Sequence, residues 1–169
     1  MNATMTRVNG IFNRDLAVKL LLIANESSII YTNAATDPYS NAKAGVDGAW
    51  HSELQNNLTS VIGNANYDIG HLFGATGGGG DAGCIGCVCI DPTISEPNGK
   101  GSGYTSPANS IPEGDAFDID FVAHEMGHQL GANHIFSYDV EGTGVSMEPG
   151  SGSTIMGYAG ITDYDVQNT

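Results

Sequence analysis

The sequence predicts a mixed α/β (α+β) fold in a single domain, and three features of the chain support this. Two stretches carry apolar residues at helical spacing, and several short apolar or alternating runs have the length and composition of strands. A third helix is indicated by closely spaced histidines in the C-terminal part of the chain. The length of 169 residues suits one domain with a core of its own.

The N-terminal part is predicted to contain a helix followed by strands. The helix runs from Asn2 to about Arg14, because apolar side chains recur there at helical spacing. These side chains belong to Met5, Val8, Ile11 and Phe12. Val18 to Ala24 is a nearly continuous apolar run, which predicts a buried strand, and Ile29 to Thr32 is expected to continue it.

A second helix is predicted after the loop at residues 33–47. Asp47 is the expected N-cap, and Gly63 with Asn64 is expected to end the helix. Its apolar stripe, which we interpret as core packing, consists of Trp50, Leu54, Leu58, Val61 and Ile62.

The middle of the chain is predicted to alternate between strands and loops. Tyr67 to Gly74 and Ala82 to Ile90 have the pattern of strands. The glycine run from Gly77 to Gly80 predicts a flexible loop, since no lysine follows it at the spacing of a phosphate-binding loop. Residues 91–113, rich in Pro, Gly, Ser and Asn, are expected to form a long surface loop.

The three cysteines lie together at Cys84, Cys87 and Cys89. A zinc site built from them alone is excluded, because such a site needs four ligands and the chain has no further cysteine. Two alternatives stay open: a local disulfide between two of the three, or a bond from one of them to a cysteine outside this sequence.

The histidines of the C-terminal part form the pattern HExxHxxGxxH, with His124, His128 and His134 as its three histidines. His124 and His128 are four residues apart, so on a helix they lie on one face and can bind one zinc ion. Gly131 is expected to end the helix in a left-handed conformation, which brings His134 back as the third ligand. Asp115 is the expected N-cap, with buried contacts from Phe117, Phe121, Val122 and Met126.

These residue types indicate hydrolytic zinc chemistry. Three neutral histidines leave one coordination position open for water, which is typical of a catalytic rather than a structural zinc site. Glu125 points away from the ligand face yet stays within reach, so we expect it to act as general base toward zinc-activated water. The other two histidines, His51 and His71, are interpreted as ordinary surface or strand residues.

With this motif the chain resembles the metzincin clan of zinc endopeptidases. A second feature of that clan, a methionine turn, is similar to Ser153–Tyr158, which contains Met156. Within the clan, His-Glu-Met-Gly-His-Gln-Leu-Gly most resembles the reprolysin (adamalysin-like) peptidases, in particular their secreted bacterial relatives. The segments Asn9 to Ala17 and Asn66 to His71 are similar to those relatives as well. The pappalysin-like metzincins are the nearest alternative.

The resemblance implies a particular architecture for the domain. It implies a twisted, mostly parallel sheet with an antiparallel edge strand, a backing helix and an active-site helix. Residues 1–131 would form an N-terminal subdomain, and residues 132–169 an irregular C-terminal subdomain with the methionine turn. By the same resemblance, a first strand and a C-terminal helix are expected outside this sequence, which would then be trimmed at both ends.

The resemblance also implies roles for two residues of the turn. Met156 would form an apolar floor beneath the zinc. Tyr158 leaves two alternatives open: in astacin-like and serralysin-like metzincins a tyrosine at this position is a switchable ligand that stabilises the oxyanion, whereas reprolysins usually lack it. Tyr158 is therefore a candidate catalytic residue or a structural one.

The composition limits the classes of partner and cofactor that the chain is expected to bind. With 19 acidic and 5 basic residues, the chain is not expected to bind nucleic acid or anionic membranes, and no stretch is long enough to span a bilayer. The acidic side chains are interpreted as solvated surface, with calcium ligands as the alternative, although no EF-hand loop is present. The resemblance implies secretion, with a signal peptide and a pro-segment upstream.

The predicted function is therefore zinc-dependent endopeptidase activity on an extended protein or peptide substrate. By resemblance, that substrate would bind along an edge strand near the glycine run. Two alternatives accompany it: a catalytically silent, zinc-stabilised binding or adhesion domain, and a peptidase dedicated to one protein. In the peptidase readings, the irregular segment at residues 137–153 would form the wall of the specificity pocket.

Overall fold

A computed structural model describes residues 1–167 and confirms the mixed α/β class. The α-helices are α1 (Asn2–Asp15), α2 (Ala42–Ala44), α3 (Trp50–Val61) and α4 (His124–Gln129). The strands are β1 (His71–Phe73), β2 (Gly80–Asp81) and β3 (Gly103–Thr105). Short 3-10 helices lie at Glu26–Ile29 and Asn64–Asn66, and π-helical segments at Gly45–Ala49 and Ala116–Ala123.

The three strands form one sheet in the order β1-β3-β2. β1 runs parallel to β3, with His71 opposite Gly103 and Phe73 opposite Thr105. β2 pairs antiparallel with the other side of β3, with Asp81 opposite Tyr104. The antiparallel edge strand that we expected is therefore present, in a small sheet.

The core has two parts, one on each of the long predicted helices. α1 packs against the helix that carries the histidine motif, and this cluster contains Met5, Val8, Phe12, Phe117, Val122, Ala123 and Met126. α3 packs beneath the sheet region with a second cluster of Leu54, Leu58, Ile62 and Tyr67. The predicted stripes of both helices are thus largely buried, except that Val61 is exposed.

One of the two expected N-caps is wrong. Asp47 lies inside the π-helical segment Gly45–Ala49, where its carboxylate is paired with Lys43. The other prediction is correct in position: Asp115 stands at the N-cap of Ala116–Ala123, although its carboxylate is paired with Arg7 and makes no capping hydrogen bond. The predicted end of α3 is correct, since Gly63 follows it with a φ of 81°.

The strands predicted at Val18 to Ala24 and Ile29 to Thr32 are wrong. Residues 18–23 are not part of a strand. The side-chain amide of Asn9 instead forms both hydrogen bonds of the Leu20 backbone. Asn9 Nδ2 donates to the Leu20 carbonyl at 2.9 Å, and the Leu20 N–H donates to Asn9 Oδ1 at 2.7 Å. Leu21 is 76% exposed, so this apolar run is not a buried strand. Residues 30–33 are likewise not part of a strand.

The strand predicted at Ala82 to Ile90 is also wrong, because the segment consists of turns. Cys84 and Cys87 form a disulfide, which settles the open pairing, and Cys89 is an exposed free cysteine. Gly86 and Cys89 both have positive φ, which a strand excludes. The strand of this region is instead β3, inside the stretch predicted to be a long loop.

The C-terminal part is irregular, as expected. An isolated bridge joins Phe136 to Glu148, and residues 161–167 form turns rather than the start of a further helix. The last two residues of the predicted subdomain at 132–169 lie outside the described residues. Within residues 1–167, no helix has the length and apolar character needed to cross a membrane.

Candidate active site

A continuous helix delivers the first two histidines of the motif. It begins with the π-helical segment Ala116–Ala123 and continues as α4, on which His124, Glu125 and His128 are all buried. Gly131 ends it with a φ of 110°, and its N–H donates to the carbonyl of His128 at 2.8 Å. The left-handed glycine predicted here is therefore confirmed.

The structure brings the three predicted ligand histidines together at their Nε2 atoms. The Nε2–Nε2 distances are 3.0 Å from His124 to His128, 3.1 Å from His128 to His134 and 3.2 Å from His124 to His134. A search of residues 1–167 for three or more His, Cys, Asp or Glu side chains close enough to bind one metal ion finds these three histidines.

The opposite nitrogen of each imidazole contacts an oxygen that can only accept a hydrogen bond. His124 Nδ1 donates to the Ile155 carbonyl, and His128 Nδ1 donates to the Ala132 carbonyl, each at 2.6 Å. His134 Nδ1 donates to both carboxylate oxygens of Glu141, at 2.9 and 3.1 Å. Each neutral ring therefore turns an Nε2 lone pair toward the other two, an arrangement that a cation between them stabilises.

The pKa values of the two helical histidines favour this neutral state. The pKa of His124 is lowered to about 4, mainly by burial and to a smaller extent by the neighbouring His128 and His134, while the hydrogen bond to the Ile155 carbonyl opposes the shift. Burial is also the largest cause of the lowered pKa of His128. Both rings are thus uncharged at neutral pH, as metal ligands must be.

Glu125 lies directly beneath the edge strand β2. A Cβ atom added to Gly80 would lie 2.7 Å from Glu125 Oε1, so the carboxylate occupies the space that a side chain at Gly80 would need. The pKa of Glu125 is raised to about 8, mainly by burial and to a smaller extent by the charge of Asp81, while His51 acts in the opposite direction.

His51, to which the sequence assigned no role, holds the edge strand near this carboxylate. Its Nδ1 lies 2.6 Å from the Ser102 carbonyl, and its Nε2 lies 3.6 Å from Asp81 Oδ2. The interaction with Asp81 is the largest cause of its raised pKa, and burial opposes it. No local pattern signals this contact, because His51 and Asp81 belong to different elements.

His71 is a strand residue, as interpreted, but it is half-buried in a hydrogen-bonded group. Its Nδ1 lies 2.7 Å from Gln129 Oε1, and its Nε2 lies 2.7 Å from Thr105 Oγ1. Gln129 in turn donates to the Gly70 carbonyl at 2.9 Å. The group joins β1 and β3 to α4, immediately after the ligand His128.

The methionine turn passes close to α4. A Cβ atom on Gly127 would lie 2.7 Å from Met156 Sδ, so Met156 packs against the backbone of the histidine helix. The ring centroid of Tyr158 lies 4.6 Å from that of His134 and 5.7 Å from that of His124. Burial, followed by the charge of Glu125, raises the pKa of Tyr158 to about 12, so the phenol keeps its proton.

A cleft of about 990 Å³ opens onto this site. Its walls come from α1, from the π-helical segment Ala116–Ala123, from the glycines before and in β2, and from residues 153–161. His124, Glu125 and Tyr158 are among the residues that line it. A substrate in this cleft would therefore contact the histidine cluster and the buried carboxylate together.

Comparison with models of protein families gives a match over nearly the whole chain. The matching family is described as Metallo-peptidase family M12B Reprolysin-like, and the match covers residues 1–168. No curated protein and no solved structure matches the chain.

Proposed function

The chain belongs to the M12B reprolysin-like family of metallopeptidases, and on this premise we propose that it is a zinc-dependent endopeptidase acting on extended protein or peptide substrates. One observation carries the proposal: three imidazole lone pairs converge within 3.2 Å of one another, beside a buried carboxylate that opens onto the cleft. A binding domain has no need of that carboxylate, whereas hydrolysis does.

In this proposal, zinc is held by His124, His128 and His134. Three neutral nitrogen ligands are the donor set of a catalytic zinc site with an open position. When bound, zinc polarises the scissile carbonyl as a Lewis acid and acidifies water. Within residues 1–167 no carboxylates gather in a comparable cluster, and we propose no calcium site.

Glu125 is the proposed general base. Its carboxylate takes a proton from the attacking water molecule and then delivers it to the leaving amine. Its low exposure, next to the histidine cluster, suits a group that exchanges a proton with a water molecule held there. Gly80 supports the role, because the absence of a side chain there leaves room for the carboxylate.

Tyr158 is the proposed hydrogen-bond donor to the oxyanion that forms from the scissile carbonyl. Its ring lies beside two of the histidines, and its phenol is protonated over the whole physiological pH range. A donor placed where negative charge develops lowers the barrier without a change in its own protonation state. The alternative, a structural tyrosine, predicts no change in kcat for Tyr158→Phe.

The proposed binding mode is strand addition at β2. Among the described residues β2 pairs with β3 on one side only, so its other edge can pair with a peptide. Because Gly80 of β2 lies over Glu125, a peptide in that position would bring a backbone carbonyl near the base. We also propose that the protein is secreted, since disulfides such as Cys84–Cys87 persist mainly in oxidising compartments.

The test compares wild type with Glu125→Ala on a mixture of denatured proteins, with the released peptides identified by mass spectrometry. We expect cleavage by the zinc-loaded wild type and none by the variant, while metal analysis finds one zinc per molecule in both. If zinc-loaded wild type releases no peptides, the peptidase proposal is wrong and a silent zinc-stabilised binding domain is favoured.

A further inference from the structure

The part of the cleft lined by α1 and by the helical segment Ala116–Ala123 combines apolar walls with an unpaired carboxylate that the proposed mechanism does not use. Ile11 of α1 and the helical residues Ile119 and Phe121 line this part, and all three are half-buried. Asp120 lies between Ile119 and Phe121 and is exposed to the cleft. It precedes His124 by four residues, so both lie near the same face of the helix.

Apart from Glu125, the other charged side chains of the cleft are already paired. Arg7 contacts Asp115, and its Nε lies 3.1 Å from Oδ2 of the buried Asp118. Arg14 is bonded to Asp15, with 2.8 Å between Nη2 and Oδ2. Neither arginine is therefore free to neutralise an anion elsewhere in the cleft.

Asp120 differs from these groups because it has no partner among residues 1–167. Partial burial is the sole cause of its raised pKa, and no hydrogen bond or cation offsets that burial. A carboxylate that is partly desolvated without a partner gains stability when a cation approaches it. The cleft thus offers an unmatched negative charge next to apolar surface.

We propose that this part of the cleft is a subsite for a lysine or arginine side chain of the substrate, next to the scissile bond. The aliphatic stem packs against Ile11, Ile119 and Phe121, and the cationic end binds the carboxylate of Asp120. The inference rests on the proposed peptidase function and defines its substrate class. A short or acidic side chain would leave Asp120 unpaired.

Cleavage-site profiling tests the subsite directly. A proteome-derived peptide library is digested by zinc-loaded wild type, by Asp120→Asn and by Asp47→Asn, a variant that removes an exposed carboxylate outside the cleft. We expect wild type and Asp47→Asn to select lysine or arginine at one position flanking the cleaved bond. Asp120→Asn, which keeps the side-chain shape but not the charge, should lose that selection.

Two matched peptides that differ only in lysine or norleucine at the selected position measure the effect. We expect Asp120→Asn to lower kcat/KM for the lysine peptide roughly fivefold, as suits a partly exposed ion pair, and to leave the norleucine peptide nearly unchanged. The preference of the wild type should also weaken with added salt.

A binding measurement separates failure of the subsite from failure of the peptidase proposal. Glu125→Ala and Glu125→Ala/Asp120→Asn are titrated with the same two peptides, which requires no turnover. Tighter binding of the lysine peptide, seen only when Asp120 is present, supports the subsite even without cleavage. Cleavage without basic selection, selection for acidic residues, or equal binding of both peptides would overturn it.

Discussion

At the scale of single residues, the site depends on the lack of a side chain at Gly80 as much as on the side chains around it. The carboxylate of Glu125 fits under β2 because position 80 carries no Cβ atom. A methyl group there would lie 2.7 Å from Glu125 Oε1 and would force the carboxylate into another rotamer. The metal ligands themselves would not be touched.

We therefore expect Gly80→Ala to lower kcat at least tenfold while zinc affinity changes little, since a base displaced by about 1 Å costs roughly two orders of magnitude. Steady-state kinetics and zinc titration measure the two quantities. Gly10→Ala is the control, because Gly10 lines the same cleft but has no atom within 4 Å of an added Cβ. Unchanged kcat in Gly80→Ala would contradict the assigned role of Glu125.

Glu141 is a second residue whose contact with the histidine cluster can be tested by mutation. It accepts hydrogen bonds from His134 Nδ1 with both carboxylate oxygens, whereas His124 and His128 donate to backbone carbonyls that no substitution removes. His134 is therefore the ligand whose orientation and basicity can be tested by mutation.

Replacing Glu141 by Gln should weaken zinc binding about tenfold, because the imidazole loses a charged acceptor that fixes its tautomer. Competition with a chromophoric chelator gives the affinity, and Glu113→Gln, an exposed glutamate with the same change of charge, serves as the control. Equal affinities in the two variants would show that Glu141 does not orient His134.

The sequence identifies the residues of the motif and misses the residues that hold them. Regular spacing within eleven positions is enough to find the three histidines and Glu125, because a helix converts that spacing into one face. The groups that fix those residues, Ile155 for His124, Glu141 for His134 and Gly80 for Glu125, come from other elements or from irregular chain. Their contacts depend on tertiary packing, which leaves no periodic trace in the sequence.

At the scale of elements, α1 supports the active-site helix from outside. Its buried face of Met5, Val8 and Phe12 packs against Phe117 and Val122, and its exposed face borders the cleft. The helix contains one residue that weakens it, the exposed Gly10, which has no structural reason such as a close contact or a positive φ.

Gly10→Ala should accordingly raise the free energy of unfolding by about 0.5–1 kcal/mol, since alanine loses less backbone entropy in a helix than glycine. Urea denaturation measures the change. The matched comparison is Gly127→Ala in α4, where the added methyl would lie 2.7 Å from Met156 Sδ and should offset the helical gain. A loss of stability in Gly10→Ala would show that α1 is not the regular helix described here.

His71 makes the junction between sheet and helix sensitive to acid. Burial lowers its pKa to about 4, and the hydrogen bond to Gln129 opposes this only in part. The unfolded chain, with an ordinary pKa near 6.5, binds more protons than the folded protein below that pH. Stability from His71 is therefore complete above about pH 6.5 and is lost as the pH falls toward 4.

Between pH 7.5 and 5, the metal-free wild type should lose roughly 1–2 kcal/mol more unfolding free energy than His71→Gln does. Both proteins contain the same ligand histidines, whose contributions cancel in the difference, and chelator is present throughout. Parallel pH profiles for the two proteins would mean that His71 titrates normally in the folded state.

Helices were easier to predict than strands in this chain, for a physical reason. α1 and α3 follow from periodicity within their own residues, and their predicted ends differ little from those observed. The apolar run at residues 18–24 has the composition of a strand, but Asn9 satisfies the backbone of Leu20 and no strand pairs with it. Strand formation needs a partner, and the sequence of one segment does not specify it.

At the scale of the whole molecule, the histidine cluster joins distant parts of the chain. His124 is bonded to Ile155 and His134 to Glu141, so the cluster connects the buried helix to the irregular C-terminal part. That part contains turns and an isolated bridge but no α-helix or strand up to residue 167. Its position depends heavily on these contacts.

Metal removal should therefore lower the thermal stability of the entire domain. With zinc at about 1,000 times its Kd, binding adds about 4 kcal/mol, which corresponds to a Tm shift of roughly 10 °C for a domain of this size. Calorimetry with and without chelator measures the shift. Glu125→Ala should show the same shift and His128→Ala none, and a shift below about 2 °C in wild type would contradict the assigned ligand set.

The hydrogen bond between His124 and the Ile155 carbonyl also affects how long each molecule of the protein survives. Without the metal, the three histidines no longer hold the irregular chain beyond Ala132 against the helix, and we expect that chain to open more often. An open chain segment is the kind of substrate that the proposed activity cleaves, so molecules without metal would become substrates of molecules that retain it. When metal is scarce, metal-free molecules would therefore have a shorter lifetime, and the smaller population that remains would consist of metal-bound molecules.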